Sequence, residues 1–223
     1  MDLYLLANII ACVFSFAALI YGAAEFLKPQ KALYGKMITL AMLCIVFSRL
    51  SNIVRIVTYG NLYDIFQLGF LGSIGSFLFF FSSNYGTINS MADDGSREYL
   101  KYRLIGLIAP VVTICVYFLV FWMGDVSVLW KVQGGMMMAC VAPCSYFHLK
   151  HLIMPDVDFG IIKSLRPYNF FALLYMISSV LECVALKDQN EILTLISCSL
   201  SGIFVLAMMV MTVNGLKKLG RRR

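Results

Sequence analysis

Charged residues divide this sequence into long apolar stretches, each as long as a membrane-spanning helix. The first such stretch has 22 residues, between Asp2 and Glu25. Four more lie between Asp64 and Asp93, Arg103 and Asp125, Lys131 and Lys150, and Glu191 and Lys217. A helix needs about 20 apolar residues to cross the hydrocarbon core of a bilayer. The pattern therefore predicts five membrane spans.

Two further apolar stretches contain ionisable residues. Residues 37–59 include Arg49 and Arg55, and residues 167–187 include Glu182. With them the pattern predicts an all-α, polytopic membrane protein of seven transmembrane helices. The first span is expected to be retained, because the basic segment that opens a signal peptide is missing.

Composition excludes the soluble and disordered classes of protein. Apolar residues make up 61% of the 223 residues and charged residues 13%, whereas soluble domains are about 45–50% apolar and about 25% charged. The mean hydropathy is +0.83. A chain that is this apolar has to expose much of its surface to lipid. We therefore expect a multi-pass protein of the plasma (inner) membrane.

The basic residues predict the orientation. Of 18 Lys and Arg residues, 14 lie in alternate connections and in the tail, on one side of the predicted membrane, and only Lys131 and Lys187 lie on the other. Loops rich in Lys and Arg stay in the cytoplasm. We therefore expect the amino terminus outside and the carboxyl terminus inside. The net charge of +6 comes largely from these loops and predicts no nucleic-acid partner.

The rhythm of the connections favours a 3+1+3 parallel repeat within a single transmembrane domain, residues 1–223. Pro29 ends the first span and Pro155 the fifth, and each is followed within eight residues by a lysine, Lys36 or Lys163. Residues 1–90 would form the first three-helix unit, 100–125 a linker helix, 127–216 the second unit and 217–223 a basic tail.

This layout resembles that of the PQ-loop and SWEET-type membrane proteins, in which a Pro-Gln pair closes the first span. The pair is Pro29-Gln30 here, whereas its counterpart Pro155-Asp156 lacks the glutamine. The resemblance implies a small-solute carrier that works by alternating access between the two units. It also implies hinge roles for Pro29, Gln30 and Pro155.

A second resemblance leads to the alternative function. Residues 68–72 (Leu-Gly-Phe-Leu-Gly) and 79–86 are similar to the third helix of bacterial seven-helix sensor modules. It implies a sensor, receptor or accessory subunit that signals through a cytoplasmic protein partner. A homo-oligomer is also compatible with the sequence.

Ionisable and polar residues within spans are the candidates for function. Arg49 or Arg55 of span 2 is expected to pair with Glu182 of span 6, either as a gate or as the binding site of a small polar or zwitterionic solute. Snorkelling to the headgroups is the alternative for Arg55 and Glu182. The remaining candidate residues for substrate binding or gating are Asn52, Asn169 and Tyr175.

Catalytic and metal chemistry receive little support from the sequence. Cys140, Cys144 and His148 share a helix face but extend over about 12 Å, too far for one tetrahedral ion. His148 and His151 could hold an ion only with Asp156 or Asp158. We predict no enzyme activity, no metal and no cofactor. Retinal is excluded because no lysine lies within span 7 to form a Schiff base.

Overall fold

The computed structural model describes residues 2–60, 62, 66–89, 92–156 and 160–220. Within these ranges the chain forms seven long helices that coincide with the seven predicted spans. They are α1 Leu3–Phe26, α2 Leu33–Tyr59, α3 Leu68–Ser83, α4 Arg97–Trp122, α5 Val128–Ile153, α6 Ile161–Lys187 and α7 Glu191–Gly220.

Several boundaries differ from the predicted ones, because helices continue beyond the apolar windows. Helix α6 begins at Ile161, six residues before the predicted start, with Pro167 inside it. Helix α7 runs to Gly220, so the segment 217–223 begins within a helix. Lysine and arginine are good helix formers, and the end of an apolar window therefore does not end a helix.

The described helices give an all-α bundle with the character of an integral membrane protein. Five of them, α1, α2, α4, α6 and α7, are long and apolar enough to cross a membrane. Helix α3 is shorter and continues as a wide π turn over Asn84–Asn89. Helix α5 contains several polar side chains. For α3 and α5, a membrane crossing stays a prediction.

Six helices close a ring in the order α1, α2, α3, α5, α6, α7, and α7 packs back on α1. Helix α4 lies outside this ring against α5. Only 17% of its most apolar window is buried, as expected of a helix that faces lipid on most sides. The linker role of α4, the internal repeat and the unit boundaries stay predictions.

The helices alternate in direction, which gives the bundle two faces. The amino-terminal face carries the start of α1 and the end of α2, and the carboxyl-terminal face carries the end of α7. Large apolar side chains such as Val13, Phe47 and Leu119 are more than 60% exposed on the outside of the ring. Soluble monomers rarely expose contiguous apolar surface on this scale, so the outer surface is suited to lipid.

Glycines bring α2 and α3 into close contact. A Cβ atom at Gly72 would lie 2.7 Å from the Cys44 carbonyl oxygen and 2.8 Å from the Ser48 nitrogen. No side chain fits there without a backbone shift. Small residues promote such close helix packing in membranes, where the hydrophobic effect does not drive helices together. This contact holds α2 and the polar residues on it in place.

Candidate functional site

A charged pair joins α2 and α6. Arg49 of α2 and Glu182 of α6 form two hydrogen bonds, one from Nη1 to Oε1 and one of 2.7 Å from Nη2 to Oε2. Helix α7 adds Ser201, whose Oγ accepts from Arg49 Nη2 at 3.0 Å, and Cys198, whose Sγ lies 3.5 Å from Nη1. Arg49 therefore holds α2, α6 and α7 together.

Both members of the pair are buried. Arg49 is 2% exposed and Glu182 8%. A buried ion pair has to offset the loss of hydration of both charges, and losing one partner leaves the other charge uncompensated. Arg49 Nε has no hydrogen-bond partner among the described residues. The pair therefore compensates both buried charges and leaves one guanidinium donor unused among the described residues.

Asn52 extends the polar layer toward α1. Its Nδ2 donates to Asn8 Oδ1 at 3.1 Å, and Asn8 Nδ2 donates to the Tyr4 carbonyl oxygen. Asn52 and Glu182 also line a cavity of about 20 Å³. A water molecule needs at least about 10–15 Å³, so this cavity has room for about one water and none for a larger solute.

A second polar cluster lies deeper, toward the carboxyl-terminal face. Asn84 Nδ2 donates to His148 Nε2 at 2.8 Å and to Asn169 Oδ1 at 3.3 Å. The Tyr168 hydroxyl lies 3.1 Å from His148 Nε2, and His151 Nδ1 lies 3.3 Å from Asn84 Oδ1. These five residues are fully buried, and we call them the histidine cluster.

Tyr175 lies between the two layers. Its hydroxyl is 3.3 Å from Ser76 Oγ, and its ring packs on Phe77 and Phe80. Asn169 and Glu182 are 13 residues apart on α6, or about 20 Å along the axis. The candidates Arg49, Asn52, Asn169, Tyr175 and Glu182 thus do not surround one cavity but form two layers with aromatic packing between them.

The other candidate residues lie away from both layers. Arg55 is near the end of α2, where its guanidinium carbon is 5.7 Å from the centre of the Tyr59 ring. Pro29 and Gln30 form the exposed turn after α1, and the Pro29 carbonyl oxygen accepts from Lys36 Nζ at 3.1 Å. Pro155 follows the end of α5. All three hinge candidates lie in connections outside the helices.

Sequence reasoning missed most of the histidine cluster. Asn84 stands inside a charge-free stretch, and nothing in its neighbours points to an inward orientation. The wide π turn over Asn84–Asn89 begins at this residue, and such turns often occur at functional sites. The sequence offers His148 only as a metal ligand. Its neighbour Tyr168 is the first tyrosine of α6 and carries no sequence signal of its own.

A large cavity opens at the carboxyl-terminal face. Its volume is about 470 Å³, and its rim carries the ion pair of Glu25 and Lys217, with Oε1 2.7 Å from Nζ. Lys31 also lines it. The wall is mostly apolar and includes Phe26, Tyr34, Ile88, Leu165, Val213 and Leu216. The bundle is therefore open at this face and tightly packed around Arg49.

Asp93 attaches the connection between α3 and α4 to the bundle through Arg103 of α4 and Lys150 of α5. Its carboxylate accepts two hydrogen bonds of 2.9 Å from Arg103 and one of 3.0 Å from Lys150 Nζ. Partial burial would raise the pKa of Asp93, but the bonds from Arg103, the Gly95 N–H and Lys150 outweigh it and lower this pKa to about 2. Asp93 is therefore a carboxylate at neutral pH.

The described residues contain no group of three or more His, Cys, Asp or Glu side chains that could hold a metal ion. Asp156 instead accepts a hydrogen bond from the Lys163 backbone nitrogen at 3.0 Å, and His148 is engaged by Asn84. Asp158 lies outside the described residues. The His-and-Asp ion site considered from the sequence is not formed with Asp156.

No family model, no curated protein and no solved structure matches this chain. The resemblances to PQ-loop proteins and to sensor modules therefore remain predictions. What the chain does has to be inferred from its two polar layers and its cavities.

Proposed function

We propose that this chain is a small-solute carrier that works by alternating access between the triplets α1–α3 and α5–α7. One observation carries the proposal. The Arg49–Glu182 pair closes the space between α2 and α6, whereas a cavity of about 470 Å³ opens at the carboxyl-terminal face. Alternating access requires a state that is closed on one side of the binding site and open on the other.

The chemistry of the pair favours a zwitterionic solute. A guanidinium binds a carboxylate through two parallel hydrogen bonds, and a carboxylate binds an ammonium group. An amino acid could therefore replace each partner of the pair by one of its own charged groups. The Arg49 and Glu182 charges would remain compensated while the helices that bear them moved apart.

The distribution of basic residues supports the sidedness of this state. The carboxyl-terminal face bears the Lys-rich connection after α1 and the end of α7, so it would face the cytoplasm. The state would then be closed to the outside and open to the inside of a plasma (inner) membrane.

One observation favours the alternative of a sensor or receptor. The space lined by Asn52 and Glu182 measures about 20 Å³, so a ligand would have to reshape it. A sensor would bind its ligand near the amino-terminal face without passing it on, and a cytoplasmic protein partner or a second copy of the chain would receive the signal.

Uptake into proteoliposomes tests the proposal. The purified chain would be screened with radiolabelled neutral amino acids and uncharged sugars. We expect uptake of at least one zwitterion, abolished by Glu182→Gln and kept by the control Arg55→Gln, which removes a cation on the same helix outside the pair. Saturable binding without accumulation in the vesicles would support the sensor, and uptake unaffected by Glu182→Gln would overturn the proposed role of the pair.

A further inference from the structure

Asn169 of the histidine cluster lies about 20 Å along α6 from Glu182 of the charged pair, and the proposed solute site does not use the cluster. We infer that Asn84, His148 and His151 form a proton-binding site, and that proton uptake from the carboxyl-terminal side opens the contact between α3 and α5. The inference rests on the proposed carrier only for the use of this opening in transport. Proton binding itself is independent of any solute.

The hydrogen bonds assign a neutral form to both imidazoles. His148 Nε2 accepts from Asn84 Nδ2 at 2.8 Å and faces the Tyr168 hydroxyl. Its other nitrogen, Nδ1, must then carry the hydrogen, which it donates to the Cys144 carbonyl oxygen at 2.8 Å. His148 is thereby saturated, since a second hydrogen on Nε2 would oppose the Asn84 donor.

His151 has room for one more hydrogen. Its Nδ1 donates to Asn84 Oδ1 at 3.3 Å, which leaves Nε2 as an acceptor. This Nε2 atom is buried and has no hydrogen-bond partner among the described residues. A buried polar atom without a partner is costly, so Nε2 of His151 gains a hydrogen bond when the cluster opens to water.

Among the described residues, the surroundings of His151 and His148 provide no free counter-charge. Helix α3 presents the amide of Asn84, and α6 presents the hydroxyl of Tyr168 and the amide of Asn169. Tyr34 of α2 packs behind Tyr168. On α5 itself the neighbours are Cys144 and Lys150. The nearest described carboxylate, Asp93 in the connection after α3, is held by Lys150 at 3.0 Å and by Arg103.

The closed cluster therefore disfavours an imidazolium, whereas an opened and hydrated cluster accepts one. An imidazole in water takes up a proton near pH 6.5. The open state thus binds more protons than the closed state, and acid shifts the equilibrium toward the open state. The step adds one proton from solution to Nε2 of His151 and returns it to solution on closing, with no other bond made or broken.

Two measurements on the full chain in lipid nanodiscs, without solute, test the inference. The chain has only two histidines, so selective ¹⁵N labelling gives two imidazoles whose protonation is observed directly by NMR between pH 8 and pH 5. Hydrogen exchange over residues 84–89 and 148–153 reports opening. At each pH, the exchange rate of wild type is divided by that of His151→Gln, and this ratio cancels the intrinsic pH dependence of amide exchange. Ser145→Ala is measured in the same way as the control.

We expect one imidazole to become charged below about pH 6.5. Over the same range, exchange in wild type relative to His151→Gln should rise by up to about tenfold per pH unit, the limit for one linked proton. Ser145→Ala should follow wild type. Two imidazoles that stay neutral to pH 5, or equal exchange in wild type and His151→Gln, would overturn the inference.

The wild-type NMR titration decides the matter even where His151→Gln does not fold. Failure here is also distinct from failure of the carrier proposal. A carrier whose histidine cluster binds no proton would still accumulate solute in the vesicles, with no dependence on a pH gradient. A chain that transports nothing would still show the titration.

Discussion

Arg49 of α2 and Glu182 of α6 are 133 residues apart in the sequence, yet they form a buried pair with two hydrogen bonds. The pair joins α2 to α6, two helices of the six-helix ring that are not neighbours in it. Ser201 and Cys198 of α7 complete the surroundings of the guanidinium. A movement of α2 away from α6 and α7 has to break or replace these contacts.

The first prediction concerns the energetics of this pair. Arg49→Met leaves the Glu182 carboxylate buried without a partner, so it should lower the free energy of unfolding by about 3–5 kcal/mol. The double variant Arg49→Met with Glu182→Met removes both charges and should regain most of that loss. Denaturant unfolding in mixed micelles measures both. A double variant less stable than the single one would mean that the pair does not act as a compensated unit.

The second prediction concerns the contact between α2 and α3. Gly72→Ala places a methyl group 2.7 Å from a carbonyl oxygen of α2, and overpacking of this kind costs about 1–3 kcal/mol. Gly86→Ala is the matched control, because a Cβ atom there meets nothing within 4 Å. Thermal unfolding should show a clear loss for the first variant alone. Equal stability of the two would contradict this account of the α2–α3 contact.

The third prediction concerns Asp93 and pH. Asp93→Asn should lower the unfolding temperature, since it weakens the bonds to Arg103 and leaves the buried Lys150 ammonium without its carboxylate. Asp94→Asn serves as the control, because Asp94 is exposed and its hydrogen bonds come from Ser96 and not from Arg103 or Lys150.

The pH dependence follows from the lowered pKa of Asp93, about 2 in the fold against an ordinary 3.8. A carboxyl group with a lowered pKa stabilises the fold fully above its ordinary pKa, and this contribution is lost as the pH falls toward 2. The difference between wild type and Asp93→Asn should therefore be constant above about pH 5 and shrink below pH 4. A stability difference between the two proteins that grows on acidification would contradict a stabilising contact of the Asp93 carboxylate with Arg103 and Lys150.

The fourth prediction concerns orientation. Alkaline phosphatase, which is active only outside the cytoplasm, should be active when fused after Gly124 and inactive when fused after Gly95. Gly124 follows α4 and Gly95 precedes it, so the two fusions lie on opposite sides of the predicted membrane crossing of α4. The reverse result would place the Lys-rich connections outside and invert the sidedness of the proposed state.

Most of the helical secondary structure could be predicted from the sequence alone. Charge-free gaps located the helices because a charge is costly in hydrocarbon, and that cost acts on each segment independently of its neighbours. The same principle drew attention to Arg49 and Glu182 as interior residues. Their pairing was one of two options, since Arg55 lies less than two turns beyond Arg49 on the same helix.

Tertiary structure alone decided the partners. Arg49, and not Arg55, pairs with Glu182 because the packing of α2 against α6 and α7 brings Glu182 and Ser201 to its guanidinium. Asn84 joins both histidines only because the π turn aims it inward. Asn169 and Glu182 belong to separate layers because Phe77, Phe80 and Tyr175 fill the space between them. Helix formation depends on each segment's own residues, whereas these contacts depend on segments up to 152 residues apart.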